Sequence, residues 1–597
     1  MCRIFGLLDP HLGHDALHRL GEQTAGLLRH GGPDGHAHRV FDGGLIGGTR
    51  LAISDPAHGW QPFTRDGLTV FYNGEIYNAP ALRRQLAAEG VQFSTDCDGE
   101  VIAPLFARHG TGAAALLDGM FAIAVHEQRT GRLTLIRDQA GIKPLYLFAD
   151  GGRFGFASEL AALLRLRGTA VQVDPDALDR YLRFKAPFGA VPAPGALGDP
   201  TMVEGVHALP PGHALQVTPG GAPRVTRVAE VAATRHTDPV ADLGRLLPEA
   251  VAGMLPTDVP YCSVLSGGLD SSVVTTLAAR AAGPVQTFTV VPRKKSAYDE
   301  LAYAQLVAET TGSPLEQVPV GGGDIPALLP AVVASLGQPN SDPIIVSTYR
   351  LFRAVREAGY PVALTGDASD ELFGGYDRFR ALARSGDATG YRDALAGVPA
   401  AWQRSLYTDG ALARLETAAR PDDGPWARSH ACPPTAADAA TDFELRHRLP
   451  VYHLQRVDHL SAAHAVEARV PFCRNGVTAL GRSLTLAQKL GPDDTVKITL
   501  ARAAARHGWA PDAVLNRPKQ PFTFRLADHL LDEQGLALDW ARQVLTDPAA
   551  RRGWFAPDRV EKLLAEFEER RTEPLAHTVW ALLVLELWLG QIDGGVR

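Results

Sequence analysis

The chain has 597 residues, of which 45% are apolar and 21% charged, and its net charge is −7. This composition is that of a globular protein, and it excludes a disordered chain, a collagen and a small disulfide scaffold. The mildly acidic balance argues against a nucleic-acid partner, and five cysteines without a CxxC pair argue against a zinc ribbon. A chain of this length is expected to form about two to four domains.

No targeting or membrane-spanning segment is expected. The N-terminal sequence reaches Asp9-Pro10 too early for a signal peptide. The most apolar stretch, Val579 to Gly590, contains Glu586 and is too short to span a bilayer, so we expect a buried C-terminal helix there. The protein is therefore expected to be soluble and cytoplasmic, with no membrane partner.

The first 160 residues are predicted to be rich in β-strands. Apolar runs predict strands at Leu68–Tyr72, Met120–Val125, Leu133–Ile136, Leu145–Phe148 and Phe154–Ala157. Turn residues at 129–131 and 150–152 join the last four strands into two hairpins. Helical periodicity covers Ala79–Glu89.

Residues 186–236 are rich in proline and glycine, and we expect loops there. A domain boundary is predicted near residue 230, which divides the chain into domains 1–230 and 231–597.

Beyond this boundary, short apolar strands alternate with helices. Strands are expected at Tyr261–Leu265, Val285–Val291 and Pro361–Leu364, and helices at Ser271–Ala282 and Asp299–Thr311, with Gly312 as the C-cap of the second helix. This alternation predicts βαβ units and a parallel sheet. After about residue 380 the chain is predicted to be mostly helical.

Cys2 is the first candidate functional residue. Once the initiator methionine is removed, its thiol and its own α-amine share one residue, and an amine with a pKa near ~8 can act as the base that activates a thiol. Four further segments follow in order, at Arg29–Gly35, Gly48–Ile53, Tyr72–Asn78 and Asp98–Val101.

Together these five elements resemble the class II glutamine amidotransferase domain, a member of the N-terminal nucleophile hydrolases. The resemblance implies an αββα sandwich. One departure is Gly31, where the family usually carries arginine.

The resemblance also assigns roles to individual residues. Cys2 would attack the side-chain amide of glutamine and release ammonia. Asn73 and the backbone N–H of Gly74 would form the oxyanion hole, since two fixed donors stabilise a developing negative charge.

Three charged residues would bind the glutamine backbone groups by the same resemblance. Arg50 would hold the α-carboxylate through two hydrogen bonds, a geometry that arginine suits. Asp98 would pair with the α-amino group, and Glu75 would complete the binding site.

A second constellation follows the first strand of the predicted parallel sheet. It consists of Ser266, Gly267, Gly268, Leu269, Asp270, Ser271 and Ser272. Glycines let the backbone approach an anion closely, and the N-terminus of the following helix supplies free N–H groups and a positive dipole end. The string resembles the PP-loop of ATP pyrophosphatases, which split ATP into AMP and pyrophosphate.

An acidic segment begins about 100 residues later, after the strand Pro361–Leu364. Asp367, Asp370 and Glu371 lie in it, directly behind Thr365 and Gly366. The carboxyl ends of parallel strands form the ligand-binding edge of such sheets. Carboxylates beside ATP phosphates suit Mg²⁺, and we predict Asp270 and Asp370 as its ligands.

Together these segments resemble the synthetase domain of glutamine-dependent asparagine synthetases, with an adenine-nucleotide α-hydrolase-like parallel sheet and a helical C-terminal part. Further matches are Glu467–Phe472 and Arg517–Phe522. By this resemblance Lys519 would stabilise negative charge at the activated carboxyl or the phosphorus, and Asp367 would handle the attack of ammonia. Leu265 and Val290 would border the adenine, and Thr365 and Gly366 would belong to the ATP site.

The implied reaction has two halves. ATP, with Mg²⁺, activates a carboxylate as an acyl-adenylate and releases pyrophosphate. Ammonia made from glutamine crosses inside the protein and attacks the acyl carbon. The expected partners are small molecules, namely glutamine, ATP and aspartate or another carboxylic acid; a homodimer is one expectation for the assembly.

Several reactive side chains are expected to have no special role. His30, His36 and His38 lack neighbours with metal-ligand spacing and should be exposed or hydrogen-bonded. The other cysteines should be ordinary buried residues, namely Cys97, Cys262, Cys432 and Cys473.

The leading hypothesis is an asparagine synthetase with aspartate as the acceptor. The runner-up amidates another carboxylic acid in specialised metabolism. Two departures favour the runner-up: the segment Leu336–Pro343 near the acceptor pocket and the long loop Pro187–Met202. A lactam-forming relative and a non-catalytic protein are further alternatives, and the intact Cys2 and phosphate loop count against them.

Overall fold

The computed structural model describes residues 2–188, 196–234, 236–293, 300–418, 436–491, 495–517, 525–531, 535–547 and 553–593. Its N-terminal part contains two antiparallel sheets. The strands are β1 (Arg3–Leu8), β2 (Gly35–Phe41), β3 (Gly44–Arg50), β4 (Phe63–Arg65), β5 (Leu68–Ile76), β6 (Gly119–Glu127), β7 (Arg132–Arg137), β8 (Tyr146–Asp150), β9 (Arg153–Ala157), β10 (Asp199–Pro200), β11 (Val206–Ala208), β12 (His213–Val217) and β13 (Arg224–Arg227).

The two sheets pack face to face. The seven-stranded sheet has the order β10-β11-β8-β9-β1-β3-β2, and the six-stranded sheet the order β13-β12-β7-β6-β5-β4. Successive side chains of a strand point to opposite faces, so Ile4 and Phe156 of the first sheet meet Phe71 and Leu135 of the second in one apolar core.

Helices cover both outer faces of this pair of sheets. The helices His14–Leu27 and Leu160–Arg167 pack on the seven-stranded sheet, and the helices Ala79–Ala88 and Ile102–His109 pack on the six-stranded sheet. The result is the expected αββα sandwich.

The five strands predicted in this part are confirmed, but residues 186–236 are not all loop as expected. Four short strands, β10 to β13, lie there and extend both sheets at their edges. They have two to five residues each, too short for an alternating pattern to show in the sequence. The hairpin at 150–152 is confirmed, with Gly151 and Gly152 at positive φ.

A parallel sheet forms the centre of the second part. Its strands are β14 (Tyr261–Val264), β15 (Gln286–Pro292), β16 (Leu315–Val320), β17 (Val362–Leu364) and β18 (Glu467–Arg469), in the order β16-β15-β14-β17-β18. The strand order reverses between β14 and β17, and such a reversal opens a crevice at the carboxyl ends of these strands. The strands β16 and β18 were missed from the sequence.

The chain after residue 380 is mostly helical, as predicted. Among the described residues of the N-terminal part, the helix Pro175–Phe184 adds to the four helices named above. The longer helices of the second part are Pro239–Ala252, Leu269–Ala282, Leu301–Thr311, Asp324–Leu336, Ile345–Glu357, Asp377–Ser385, Asp409–Ala418, Ala436–Phe443, Gln455–Ala462, Asn475–Ser483, Ile498–His507, Leu536–Thr546, Pro557–Arg570 and Glu573–Asp593, and a π-helix covers Glu444–Leu454. Shorter helices span Ser369–Phe373, Ala388–Asp393, Ala400–Leu406, Leu486–Lys489, Asp512–Leu515 and Leu526–Leu530.

One helix, Glu573–Ile592, is long and apolar enough to cross a membrane by composition, but 72% of its apolar window is buried inside the protein. Its indole at Trp588 donates to the carbonyl of Gly337, and its Ala581 carbonyl accepts from the Tyr181 hydroxyl, each at 2.8 Å. The buried C-terminal helix expected from the sequence is therefore confirmed.

Buried ion pairs join the sandwich to the second part. Asp458, on the helix Gln455–Ala462, accepts from Arg3 at 2.6 Å and from Lys143 at 2.9 Å. Arg474 pairs with Asp118 at 2.8 Å. The strand β13 ends at Arg227 and the next helix begins at Pro239, so position 230 lies between them; the division into two domains there stays a prediction.

Acid should weaken the folded state through Glu159. Burial would raise the pKa of this carboxyl, but the charges of His30 and Arg3 lower it from its ordinary 4.5 to about 2. A depressed pKa stabilises the folded state above the unfolded value, and this stabilisation is lost as the pH falls through the folded value. We expect a loss on the order of 3 kcal/mol between about pH 5 and pH 2.

Urea unfolding measured across this pH window tests the expectation. The variant Glu159→Gln should be less stable than the parent at pH 7 and should show a shallower loss of stability with acid. Glu22→Gln, at an exposed carboxylate, should keep the parent's pH dependence. An unchanged slope in Glu159→Gln would contradict the assignment.

Candidate active site

Cys2 and the residues predicted to bind glutamine surround one cavity in the sandwich. Its lining includes Cys2, Arg50, Gly74, Glu75 and Asp98, which come from the start of β1, the end of β3, the end of β5 and the 3₁₀ turn at 98–101. The structure thus brings together residues that lie up to 96 positions apart.

The Cys2 thiol is half-buried at the edge of this cavity. Burial raises the pKa of the thiol, and the positive charge of the chain's amino terminus opposes that rise. Gln61, which the sequence did not single out, donates to Sγ at 3.5 Å and is held by two hydrogen bonds with the backbone of Tyr72. No sequence motif marks Gln61, because its partners Cys2 and Tyr72 lie elsewhere in the chain.

Asn73 and Gly74, which the sequence predicts as the oxyanion hole, are consecutive residues near the end of β5. The Asn73 side chain is fully buried, and its amide atoms find no hydrogen-bond partner within the described ranges. An unpaired buried amide costs free energy, so a ligand group is expected to pair with it. Gly74 has φ of +145°, and a Cβ there would lie 1.8 Å from the Met120 carbonyl oxygen, so only glycine fits.

Arg50 is fixed in place before any ligand binds. Its Nη1 donates to the Pro56 carbonyl at 2.9 Å and its Nη2 to the Asp55 carbonyl at 2.8 Å. The guanidinium also lies 4.5 Å from the centre of the exposed Trp60 ring. These contacts orient a cation that is 5% exposed at the cavity wall.

Asp98 presents a buried carboxylate to the same cavity. It accepts from the Tyr72 hydroxyl at 2.6 Å and from the Ile76 backbone at 2.7 Å. Burial raises the pKa of Asp98, and these two hydrogen bonds oppose the rise.

The second part of the chain contributes to the same cavity. Glu467 of β18 lies in its lining. Its neighbour Arg469 pairs with Glu75 at 3.1 Å and donates to Glu467 at 2.9 Å. Burial raises the pKa of Glu75, and the Arg469 charge opposes this. The sequence marked Glu467–Phe472 as a matching segment but gave it no role.

The predicted phosphate loop lies at the carboxyl end of β14, between that strand and the helix Leu269–Ala282. Gly267 has φ of +79°, and a Cβ there would approach the Ala304 nitrogen to 2.7 Å. The hydroxyls of Ser266 and Ser271 lie 3.0 Å apart and hold the loop closed. The buried Ser272 hydroxyl has no partner among the residues described. This is a compact cradle of donors for an anion.

The other predicted ATP-site residues border this loop. Leu265 and Val290 are buried at the ends of β14 and β15. Gly366 follows β17 and Thr365, and a Cβ at Gly366 would lie 2.9 Å from that of Asp270. The two strand ends are therefore in direct contact.

Asp270 and Asp370 converge as predicted, and a lysine that the sequence analysis missed lies between them. The Lys497 Nζ is 2.5 Å from Asp270 and 2.6 Å from Asp370. Ser369 donates to the second oxygen of Asp270 at 2.7 Å. Lys497 has φ of +54°, a conformation uncommon for lysine, and this signal is visible only in the structure.

Lys519 lies outside the described residues, so its predicted position stays a prediction. Arg517, at the start of the same segment, does reach the phosphate loop: its Nη2 would be 3.9 Å from a Cβ at Gly268. Arg517 also binds Glu300 and stacks on Tyr303.

Asp367 forms an ion pair with a buried arginine. Arg456 lies 3.2 Å from Asp367 and also binds Asp342. Burial raises the pKa of Asp367, and the Arg456 charge opposes this. Asp342 belongs to the unusual segment 336–343, which the structure thus places beside Asp367.

The residues expected to have no special role agree with the structure where it describes them. His30 binds Glu159, His36 binds Glu22 and His38 contacts His18. Cys97, Cys262 and Cys473 are buried and free, whereas Cys432 lies outside the described residues.

Within the described part of the chain, one group of side chains is close enough to hold a metal: Glu371, Glu444 and His453. Arg378 and Arg448 already pair with Glu444, so cations of the protein balance this group.

Comparisons with known proteins give a family match for each part of the chain. A family model for asparagine synthase matches residues 242–590, and one for a glutamine amidotransferase domain matches residues 1–227. A Mycobacterium tuberculosis protein, provisionally named a glutamine-hydrolyzing asparagine synthetase, is 29% identical over 94% of this chain and 92% of its own length. The glutamine-hydrolyzing asparagine synthetase 3 of Bacillus subtilis is 27% identical over 87% of both chains.

A solved structure of glutamine phosphoribosylpyrophosphate amidotransferase from Bacillus subtilis matches 61% of this chain and 81% of its own, at 18% identity. Its TM-score is 0.28, too low to support a structural argument.

Proposed function

The chain belongs to the asparagine synthase family, and from this premise we propose that it forms asparagine from aspartate, with glutamine as the nitrogen donor. It is an ATP-dependent ligase that uses glutamine. We assign glutamine hydrolysis to a domain of residues 1–230 and synthesis to a domain of residues 231–597, both acting in the cytoplasm.

One observation carries the proposal: Cys2 and Gly74 line one cavity, and the adjoining residue Asn73 has a buried amide with no partner among the described residues. That amide needs a ligand oxygen, and the oxyanion of a thiol attack on a carbonyl supplies one. The fixed cation Arg50 and the carboxylate Asp98 match the two charged ends of an amino acid. Glutamine satisfies all of these groups together.

Glutamine hydrolysis then proceeds by covalent catalysis. The α-amine of Cys2 takes the thiol proton, and the sulfur attacks the side-chain carbonyl carbon of glutamine. Asn73 and the Gly74 N–H would stabilise the oxyanion, while Arg50 and Asp98 hold the substrate. The proton returns to the leaving nitrogen as ammonia, and water cleaves the thioester to give glutamate.

The second half activates the acceptor. The acceptor carboxylate oxygen attacks the α-phosphorus of ATP, and pyrophosphate leaves. The loop Ser266–Ser272 would bind the phosphates through its N–H groups and hydroxyls. Lys497 would help to neutralise charge that develops on the phosphorus, and Lys519 keeps the same predicted role.

The carboxylates Asp270 and Asp370 both approach Lys497, and their hard oxygen atoms are of the type that fits Mg²⁺. When bound there, Mg²⁺ would neutralise the charge of the phosphates. Asp270 and Asp370 would hold it, and Lys497 would share their remaining charge.

Amide formation completes the reaction. Ammonia attacks the acyl carbon, AMP leaves, and Asp367 would take the proton that ammonia releases. Uncharged ammonia enters an apolar interior at lower cost than ammonium. Buried apolar residues of both parts, among them Met120, Ile142, Leu364 and Phe472, belong to one hydrophobic cluster.

A second candidate acceptor has its own support. Asn340 and Asp342 belong to the segment that departs from the family, and both are buried. Asp342 lies near Asp367 because both pair with Arg456. A changed pocket wall at this place favours a carboxylic acid other than aspartate, in specialised metabolism.

Replacing the nucleophile should separate the two nitrogen sources. In Cys2→Ala, glutamine-dependent amide formation should fall by roughly a thousandfold or more, because the covalent step is lost. Amide formation from added ammonium should stay within about twofold of the parent, as it bypasses the thiol. Cys262→Ala, at a buried cysteine of β14, should retain both activities. Glutamine-dependent synthesis that survives in Cys2→Ala would disprove the assignment.

Removing the Lys497 charge should stop activation of the acceptor. Lys497→Met should lower the rate of pyrophosphate release by about a hundredfold or more, because one preorganised charge is worth about 3 kcal/mol to a transition state. Hydrolysis of glutamine should continue, and the exposed Lys562→Met should resemble the parent. Normal pyrophosphate release in Lys497→Met would refute this role.

The acceptor can be identified by measuring pyrophosphate release with ammonium and a series of carboxylic acids. Aspartate should give the highest kcat/KM, with the amide confirmed by mass spectrometry. If aspartate is inactive and another acid is active, the second candidate replaces the first while the ligase chemistry stands.

A further inference from the structure

Arg3 follows the nucleophile directly and carries a charge into the interior. It is fully buried on β1. Its Nη1 donates to Asp458 at 2.6 Å and its Nε lies 2.8 Å from Glu159. Asp458 belongs to the second part of the chain, so the residue after Cys2 is bonded to that part.

The space for the Arg3 side chain exists because position 31 is glycine. A Cβ built at Gly31 would lie 3.0 Å from the Arg3 Cγ and 3.1 Å from its Nε. The three heavy atoms nearest to this Cβ all belong to the Arg3 side chain. The side chain of Arg3 therefore fills the place that a side chain at position 31 would take.

The buried charges around Arg3 are balanced across the interface. Asp458 also accepts from Lys143 at 2.9 Å, and Glu159 also binds His30 at 3.0 Å. Arg3, Lys143, Glu159 and Asp458 are called the Arg3 cluster below. Breaking a buried pair leaves a charge without compensation, so this cluster restrains the interface geometry.

The cluster is continuous with the wall of the Cys2 cavity. Asp458 lies on the helix Gln455–Ala462, and the chain returns from it directly into β18, whose Glu467 lines the cavity. One segment of the second part, residues 458–467, thus contacts the residue after Cys2 at one end and the cavity at the other.

We propose that Arg3 is a positioning residue whose guanidinium, in the space beside Gly31, bridges the two parts of the chain. It holds the start of β1 against residues 458–467 and so keeps glutamine hydrolysis coupled to synthesis. This inference rests on the proposed glutamine-dependent reaction.

The test compares three activities in Arg3→Gly: glutamine hydrolysis, glutamine-dependent amide formation and ammonia-dependent amide formation. The ratio of amide formed to glutamine hydrolysed should fall by roughly tenfold or more, since small misplacements at reacting groups cost this much. Ammonia-dependent synthesis should stay within about twofold, and it shows that the second part is folded.

A double variant makes the test specific. Gly31→Arg alone should also lower the ratio, because two side chains would compete for one space and one pair of carboxylates. Arg3→Gly combined with Gly31→Arg should restore the ratio to within about threefold of the parent, as expected for coupled neighbours.

Asp9→Asn is the matched control, because it breaks the Arg153–Asp9 pair at 2.7 Å inside the sandwich alone. It should leave the ratio unchanged. An unchanged ratio in Arg3→Gly, or a double variant no better than either single variant, would overturn the positioning role. If the parent protein itself formed no amide from ammonia, the proposed function would be overturned instead.

Discussion

The relative position of the two sites depends on one buried arginine, Arg469. Its guanidinium pairs with Glu75 at 3.1 Å and donates to Glu467 at 2.9 Å and to the Met254 carbonyl at 2.6 Å. Its backbone carbonyl accepts from the Thr365 N–H at 2.9 Å. Removing such a cation would leave buried carboxylates unpaired. The wall of the Cys2 cavity and the strand end that leads to Asp367 are therefore fixed to a single strand of three residues.

The same arrangement of charge recurs at each site. Arg469 lies between Glu75 and Glu467, Lys497 between Asp270 and Asp370, and Arg456 between Asp342 and Asp367. In each case one cation bridges two carboxylates. A buried carboxylate is costly unless it is paired, and one cation satisfies both while leaving a negative excess.

The alternation of strands and helices predicted the parallel sheet, and the resemblance carried by short motifs at strand ends implied the sandwich and the charged residues Arg50, Glu75 and Asp98 around the Cys2 cavity. Asn73, Gly74 and Glu75 are consecutive, and the phosphate loop is a continuous string. Gln61, Lys497 and Arg469 received no role because each acts on residues far away in the chain. Their contacts arise from how β18 and the helices pack, and no local period or spacing records such packing. The short strands β10 to β13 escaped notice for a related reason, since their pairing partners hold them in place more than their own sequence does.

The negative excess at each bridged pair has a consequence for the ligands. Burial raises the pKa of Glu75 and of Asp367, which is the direction expected for carboxylates in a buried group with negative excess. A cationic group that enters would compensate this excess, and each pair suits a different cation. Under the proposed function these cations are the α-ammonium of glutamine, which pairs with Asp98 in the cavity that Glu75 also lines, and Mg²⁺ at Asp270 and Asp370. At Asp342 and Asp367 the cation is the proton released as ammonia attacks.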